Sequence, residues 1–173
     1  MRSAELLVDA FTRVRDAVHE AVDGLTAEQL AFRPGPEANS IGWLVWHTSR
    51  VIDDHVAGVA GTGQAWTEKG WAERFDLPFG VDAIGYGQSA DEVAAVRVAS
   101  AEVLTGYYDE AHERAVRFAA GVSDADLDRV VDTRWDPPVT LGVRLVSVIA
   151  DGLQHAGQAA YIRGLILRAD GNG

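Results

Sequence analysis

Apolar side chains recur at Leu7, Phe11, Val14, Val18 and Val22, with Asp9, Arg13, Asp16 and Glu20 between them. That spacing of three and four predicts an amphipathic helix over residues 4–22, ended by Gly24. Thr26-Ala-Glu-Gln29 reads as a capping box opening a short helical turn, and Pro34-Gly-Pro36 breaks the chain. Asn39 or Ser40 caps a second long helix running to about Gly61, with a core stripe of Ile41, Leu44, Val51, Ile52 and Val59. Residues 62–88 have no clean period and are rich in glycine and aromatics, among them Trp66, Trp71, Phe75, Phe79 and Tyr86. Two readings stand for this stretch: an aromatic plug over one end of a bundle, or a substrate lid.

Ser89-Ala-Asp-Glu92 is a second capping box. It opens a predicted helix of about 30 residues with Val93, Val96, Val103, Leu104, Tyr107, Ala111 and Phe118 on one side, closed by Gly121. Ser123 begins a short turn, Val130 and Val131 extend briefly, and Pro137-Pro138 exclude helix. Thr140 caps a final helix to about Arg168, and residues 169–173 are expected to fray. Four long amphipathic segments, with no strand series and no internal repeat, predict an all-α four-helix bundle with long crossover loops. The links span about 18, 28 and 20 residues, and the long middle one is expected to cross the bundle rather than join antiparallel neighbours.

The length of 173 residues suits one domain spanning residues 1–173. With no cysteine there is neither a disulfide framework nor a thiol nucleophile, so any thiol chemistry arrives with a ligand. A net charge of −11, with no basic stripe, argues against nucleic-acid binding. Basic residues are 14 Arg and one Lys, a usage that matches a GC-rich genome. No apolar run approaches the roughly 20 residues of a membrane span, and the N-terminus reads as an amphipathic helix rather than a signal peptide. A cytoplasmic protein is the default expectation.

Two of those helices carry ionisable residues where apolar ones are expected. In the segment 144–163, RLVSVIADGLQHAGQAAYIR, Asp151 and His155 lie one turn apart beside Leu145, Val148, Ala159 and Ile162. A carboxylate facing a dry interior is costly unless it is paired or binds a metal. His47 sits at the edge of the second helix's stripe, between Leu44 and Val51. Two imidazoles and a carboxylate from separate helices suit a divalent ion and leave coordination positions open. The plainer alternatives are a surface i, i+4 pair and a hydrogen-bonded boundary histidine. Asp54, two turns beyond His47, is a candidate to orient it or meet substrate; Arg144 and Gln158 are candidates for polar ligand contacts. His55 reads as a core or supporting histidine, His19 and His112 as surface residues, Trp43 and Trp46 as wall or core. Asp136 lies in a loop from which it could approach the site.

WLVWHTSRVIDDHVAG over 43–58, GYGQSADEV over 85–93 and IADGLQHAGQAAYIRG over 149–164 resemble the DinB-like superfamily of metal-binding four-helix bundles. The most similar branch is that of mycothiol-dependent enzymes, which includes maleylpyruvate isomerase and small-thiol S-transferases. The resemblance implies His47, Asp151 and His155 as metal ligands. Asp151 stands where that branch typically has glutamate, one methylene longer, and where many superfamily members have histidine. It further implies a divalent ion (Zn first, with Ni, Mn or Fe also suited), mycothiol as cosubstrate and a metal-activated thiolate transferred to a small electrophile. A metal-dependent hydrolase or isomerase and a non-enzymatic ligand-binding bundle stand as alternatives. Self-association as a homodimer is a further expectation, with no surface specified.

Overall fold

The computed structural model describes residues 1–171, Asp170 by its backbone alone. Four long helices carry the architecture: α1 (Ser3–Val22), α3 (Ile41–Ala60), α7 (Ala101–Ala120) and α8 (Leu141–Asp170). Short helices lie in the links: α2 (Ala27–Ala31), α4 (Ala65–Glu68), α5 (Trp71–Phe75) and α6 (Ala90–Ala95). A hairpin of β1 (Val130–Asp132) and β2 (Val139–Thr140) precedes α8. The all-α bundle is borne out. Thr26, Ser40, Ser89 and Thr140 cap their helices through side-chain oxygens as their sequence context predicts.

The long helices form a ring in which α1 and α3 each pack against both α7 and α8. Cross-helix contacts fix their directions. Thr48 and His47 meet Gly152 and His155, while Arg144 meets His55, so α3 and α8 run antiparallel. Val14 lies against Gly152 and Arg163 bonds the Asp23 carbonyl, so α1 and α8 run parallel. Tyr107 bonds Asp53 and Arg114 bonds the Gly63 carbonyl, so α3 and α7 run parallel as well. Parallel neighbours need a connection that returns along their length. Residues 61–100 form that crossover, and the expectation for the middle link holds.

The crossover lies over the side of α3 that the ring leaves open, and fifteen of the twenty α3 residues are buried. Its first half is an aromatic plug: Trp66, Trp71 and Phe75 pack around Tyr107, with ring centroids 5.1–5.8 Å apart. Gly106 makes room for Trp71, because a Cβ there would lie 2.7 Å from the indole. An irregular segment cannot satisfy its own backbone, so α3 supplies partners. Arg50, fully buried, donates Nε–H to the Ala83 carbonyl (3.0 Å) and Nη1–H to Gln64 Oε1 (2.7 Å) and the Tyr107 hydroxyl (3.2 Å). Asp53 accepts the first backbone N–H groups of α4, from Ala65 (2.9 Å) and Trp66 (2.8 Å), and the Tyr107 hydroxyl at 3.0 Å. It thus caps α4 from a neighbouring helix, and it lies 4.0 Å from Arg50.

Three expectations change. The third long helix is two pieces: α6 stops at Ala95 and α7 starts at Ala101. Val96 and Val98 are both buried, and an extended segment turns residues two apart to one side, as β-branched side chains favour. Val130 and Val131 extend briefly as expected, and their strand pairs in a two-stranded hairpin. The last helix continues through Ala169 and Asp170, where fraying was expected, and residues 172–173 lie outside the described residues. His112 is half-buried, stacked on Tyr108, with Nε2 lacking a hydrogen-bond partner among the described residues. No helix among the described residues is long and apolar enough to cross a membrane.

Removing Asp53 strands a buried guanidinium, so Asp53→Ala should lower stability by about 3–5 kcal/mol in urea unfolding. Burial, then Arg15, holds the His112 pKa below its ordinary value. Its stabilising contribution is therefore present above the unfolded pKa of about 6.5 and lost as pH falls through the folded one. His112→Phe should flatten the fall in unfolding midpoint between about pH 7 and pH 5.

Candidate metal centre

Asp151 and His155 occupy successive turns of α8, and His155 Nε2 lies 3.3 Å from Asp151 Oδ1. Across the α3–α8 contact, His47 Nε2 lies 3.9 Å from Asp151 Oδ2. One ligand atom from each of the three lies within 4.8 Å of the others. The imidazoles stand edge to face, with centroids 4.9 Å apart and planes at 71°.

Each imidazole is oriented through its other nitrogen. His47 donates Nδ1–H to the Ile84 carbonyl, which leaves the Nε2 lone pair facing Asp151. Trp43 stacks on the His47 ring at 4.7 Å and 16°, and Trp43 Nε1–H donates to Gln88 Oε1 at 2.7 Å. Gly85 closes this contact: its φ is +94°, and a Cβ there would lie 2.7 Å from His47 Nδ1 and 3.1 Å from the Trp46 ring. Only glycine fits that conformation and that gap. On α8, His155 Nδ1 faces Gln158 Oε1 at 3.2 Å. Partners of this kind fix the tautomer and aim the ligating nitrogen.

Burial lowers the His47 pKa, and the Ile84 carbonyl and Asp151 offset only part of that. Burial also pushes His155 down, but Asp151 and Gln158 outweigh it and the pKa ends above the usual imidazole value. Burial raises Asp151, which nonetheless ends below the carboxylate range through its contact with His155 and the positive potential of His47 and His55. The carboxylate is thus anionic, yet its Oδ2 is buried with no hydrogen-bond partner among the described residues. Such an oxygen is costly on its own. An anionic carboxylate with one oxygen unpartnered, each of its oxygens facing one imidazole nitrogen, fits a divalent cation, and the cluster could hold one.

The three predicted ligands therefore come together, whereas the predicted substrate contacts divide. Gln158 positions His155 rather than standing free. Asp54 does not orient His47; it accepts a hydrogen bond from Gln64 Nε2 at 2.9 Å and faces His55 at 3.4 Å. Arg144 donates to Asp132 Oδ2 at 2.9 Å and lies 3.5 Å from His55. Asp54, His55, Arg144 and Asp132 share a polar groove of about 790 Å³. His55 lines this groove, and burial, then Arg144, holds its pKa below the usual imidazole value. Asp136 is exposed in the hairpin loop. Ile84 and Gly85 were not anticipated: a backbone carbonyl has no side-chain signature, and the GYGQ glycines mark only a turn.

A family model described as Mycothiol-S-transferase matches residues 6–167. The chain belongs to the mycothiol S-transferase family. No curated protein matches it. A solved structure, the crystal structure of the conserved protein of a locus from Enterococcus faecalis, superposes with a TM-score of 0.90 at 29% identity, over 96% of this chain and 98% of that one. In this mycothiol S-transferase relative the histidine of α3 depends on the crossover for its tautomer. Long-range ¹H–¹⁵N spectra at neutral pH should show His47 protonated on Nδ1. Gly85→Ala should displace the Ile84 carbonyl and shift both His47 nitrogen resonances while the helical circular dichroism persists.

Proposed function

We propose that this chain is a divalent-metal-dependent S-transferase in which His47, Asp151 and His155 hold the ion, Zn²⁺ by preference, and mycothiol is the thiol. The unpartnered anionic oxygen of Asp151, flanked by two imidazoles whose outer nitrogens are already engaged, is the observation that supports this reading. Two histidines and a carboxylate match the donors of catalytic zinc sites, which keep a position open for an incoming ligand. The family match supports a small thiol as substrate, and the chain brings no sulfur nucleophile, having no cysteine.

A free thiol has a pKa of about 8.5 and is mostly protonated at neutral pH; a bound divalent ion favours the thiolate. The protein's own groups hold and orient. Ile84 and Gln158 keep protons on the outer imidazole nitrogens, so the inner ones stay available. Trp43, Trp46 and the backbone around Gly85 shield one side of His47 from water. The groove lined by Asp54, His55 and Arg144 offers acceptors and donors to the polar part of the thiol or the electrophile, with Arg144 held in place by Asp132.

Metal-loaded protein should accelerate the reaction of mycothiol with monochlorobimane over metal-free protein; equal rates defeat the proposal. His47→Ala should lose stoichiometric metal in elemental analysis, and retained metal would remove His47 from the ligand set. Gln158→Ala should weaken metal affinity about 10–100-fold in chelator competition.

A further inference from the structure

The polar groove and the cluster lie along one helical seam. Arg144 stands seven residues before Asp151 on α8, and Asp54 seven residues after His47 on α3. Seven residues are almost two full turns, so each keeps its helix's bearing toward the seam, about 10 Å along the axis from the ligand candidate. Because α3 and α8 run antiparallel, the two displacements point the same way. The groove therefore opens about 10 Å down the seam from His47, Asp151 and His155. Its charged lining is balanced, with Arg129, Arg134 and Arg144 against Asp54, Asp82 and Asp132, in a chain of net charge −11. Most of those charges already have partners. Asp132 accepts from Arg134 at 2.8 and 2.9 Å and from Arg144 at 2.9 Å, and Asp54 accepts from Gln64 at 2.9 Å.

We infer that this groove selects the thiol by its body rather than by its sulfur. It takes an uncharged, polyhydroxylated group carried about 10 Å from the sulfur, with Asp54 and Arg144 as specificity-determining residues. The inference rests on the reading that a thiol meets the cluster, and adds where the rest of the molecule is recognised. A ligand carboxylate in the groove would face three carboxylates, while two of the three guanidiniums are already engaged by Asp132. A ligand ammonium would face three guanidiniums beside carboxylates that already have partners. A hydroxyl both donates and accepts, so it bonds in turn to a free carboxylate lone pair and to a spare guanidinium N–H. The volume of about 790 Å³ is that of a pocket enclosing a ligand of disaccharide size. Mycothiol meets both conditions, because its cysteine is joined by an amide to a neutral glucosaminyl-inositol. Glutathione, with two carboxylates and an ammonium, does not.

Titrating the ¹⁵N-labelled, metal-free full chain with N-acetylglucosaminyl-inositol, which has no sulfur, tests the groove apart from any chemistry. Resonance shifts should concentrate at the Arg144 Nε–H, the His55 ring and the backbone of residues 130–134. Asp54→Asn and Arg144→Gln should each weaken that binding about tenfold with helical circular dichroism unchanged. In metal-loaded protein, both variants should lower the ratio of kcat/KM for mycothiol to kcat/KM for N-acetylcysteine about tenfold, through KM, because the lost contacts bind substrate and transition state alike. No shifts in the groove, a ratio that the variants leave unmoved, or glutathione used as well as mycothiol overturns the inference. Groove shifts in a protein that transfers no thiol uphold it and overturn only the transferase reading.

Discussion

The hydrogen bonds that α3 makes to the crossover hold this structure together. Because α3 and α7 run parallel, residues 61–100 must travel the length of the bundle as mostly irregular chain. Such a segment has backbone groups with no ladder or helix to satisfy them. Arg50 and Asp53 meet that demand from inside, at full burial, and each compensates part of the other's charge. A charged pair in a helix centre is a poor source of stability by itself. Here it fixes where a segment lies, and that placement matters one residue further on.

Ala83, which accepts from Arg50, is followed by Ile84, which accepts from His47. One anchored stretch therefore links the buried guanidinium to the tautomer of a metal-ligand candidate on the same helix. Gly85 completes the contact by allowing backbone against imidazole where any side chain would collide. The arrangement explains why the crossover is both an aromatic plug and a part of the site. Its first half fills space around Tyr107, and its second half orients His47.

The helix α8 works on two sides. Its inner face delivers Asp151 and His155 toward His47, with Gln158 as their local support. Its exposed positions from Leu141 to Ala169 carry a single charged residue, Arg168, in an otherwise acidic protein. The buried side is otherwise apolar, with Leu145, Val148, Ala156, Ala159 and Ile162 around the cluster, so the two ionisable residues form a polar island in an apolar seam and call for a partner of their own.

Periodicity, caps and breakers determined the four long helices, and spacing with family resemblance picked out His47, Asp151 and His155, because both depend on local helical geometry. Tertiary structure decided the rest. Arg50 and Asp53 read as polar residues of a helix face until a loop is laid over them. Val96 fits a helical stripe until Val98, two residues on, must bury as well. Asp54 and Arg144 belong to a groove beside the cluster because Gln64 and Asp132, distant or unremarkable in sequence, hold them there. Ile84 acts through a carbonyl that every residue possesses, so no residue type could announce it; only the path of the chain brings it to His47.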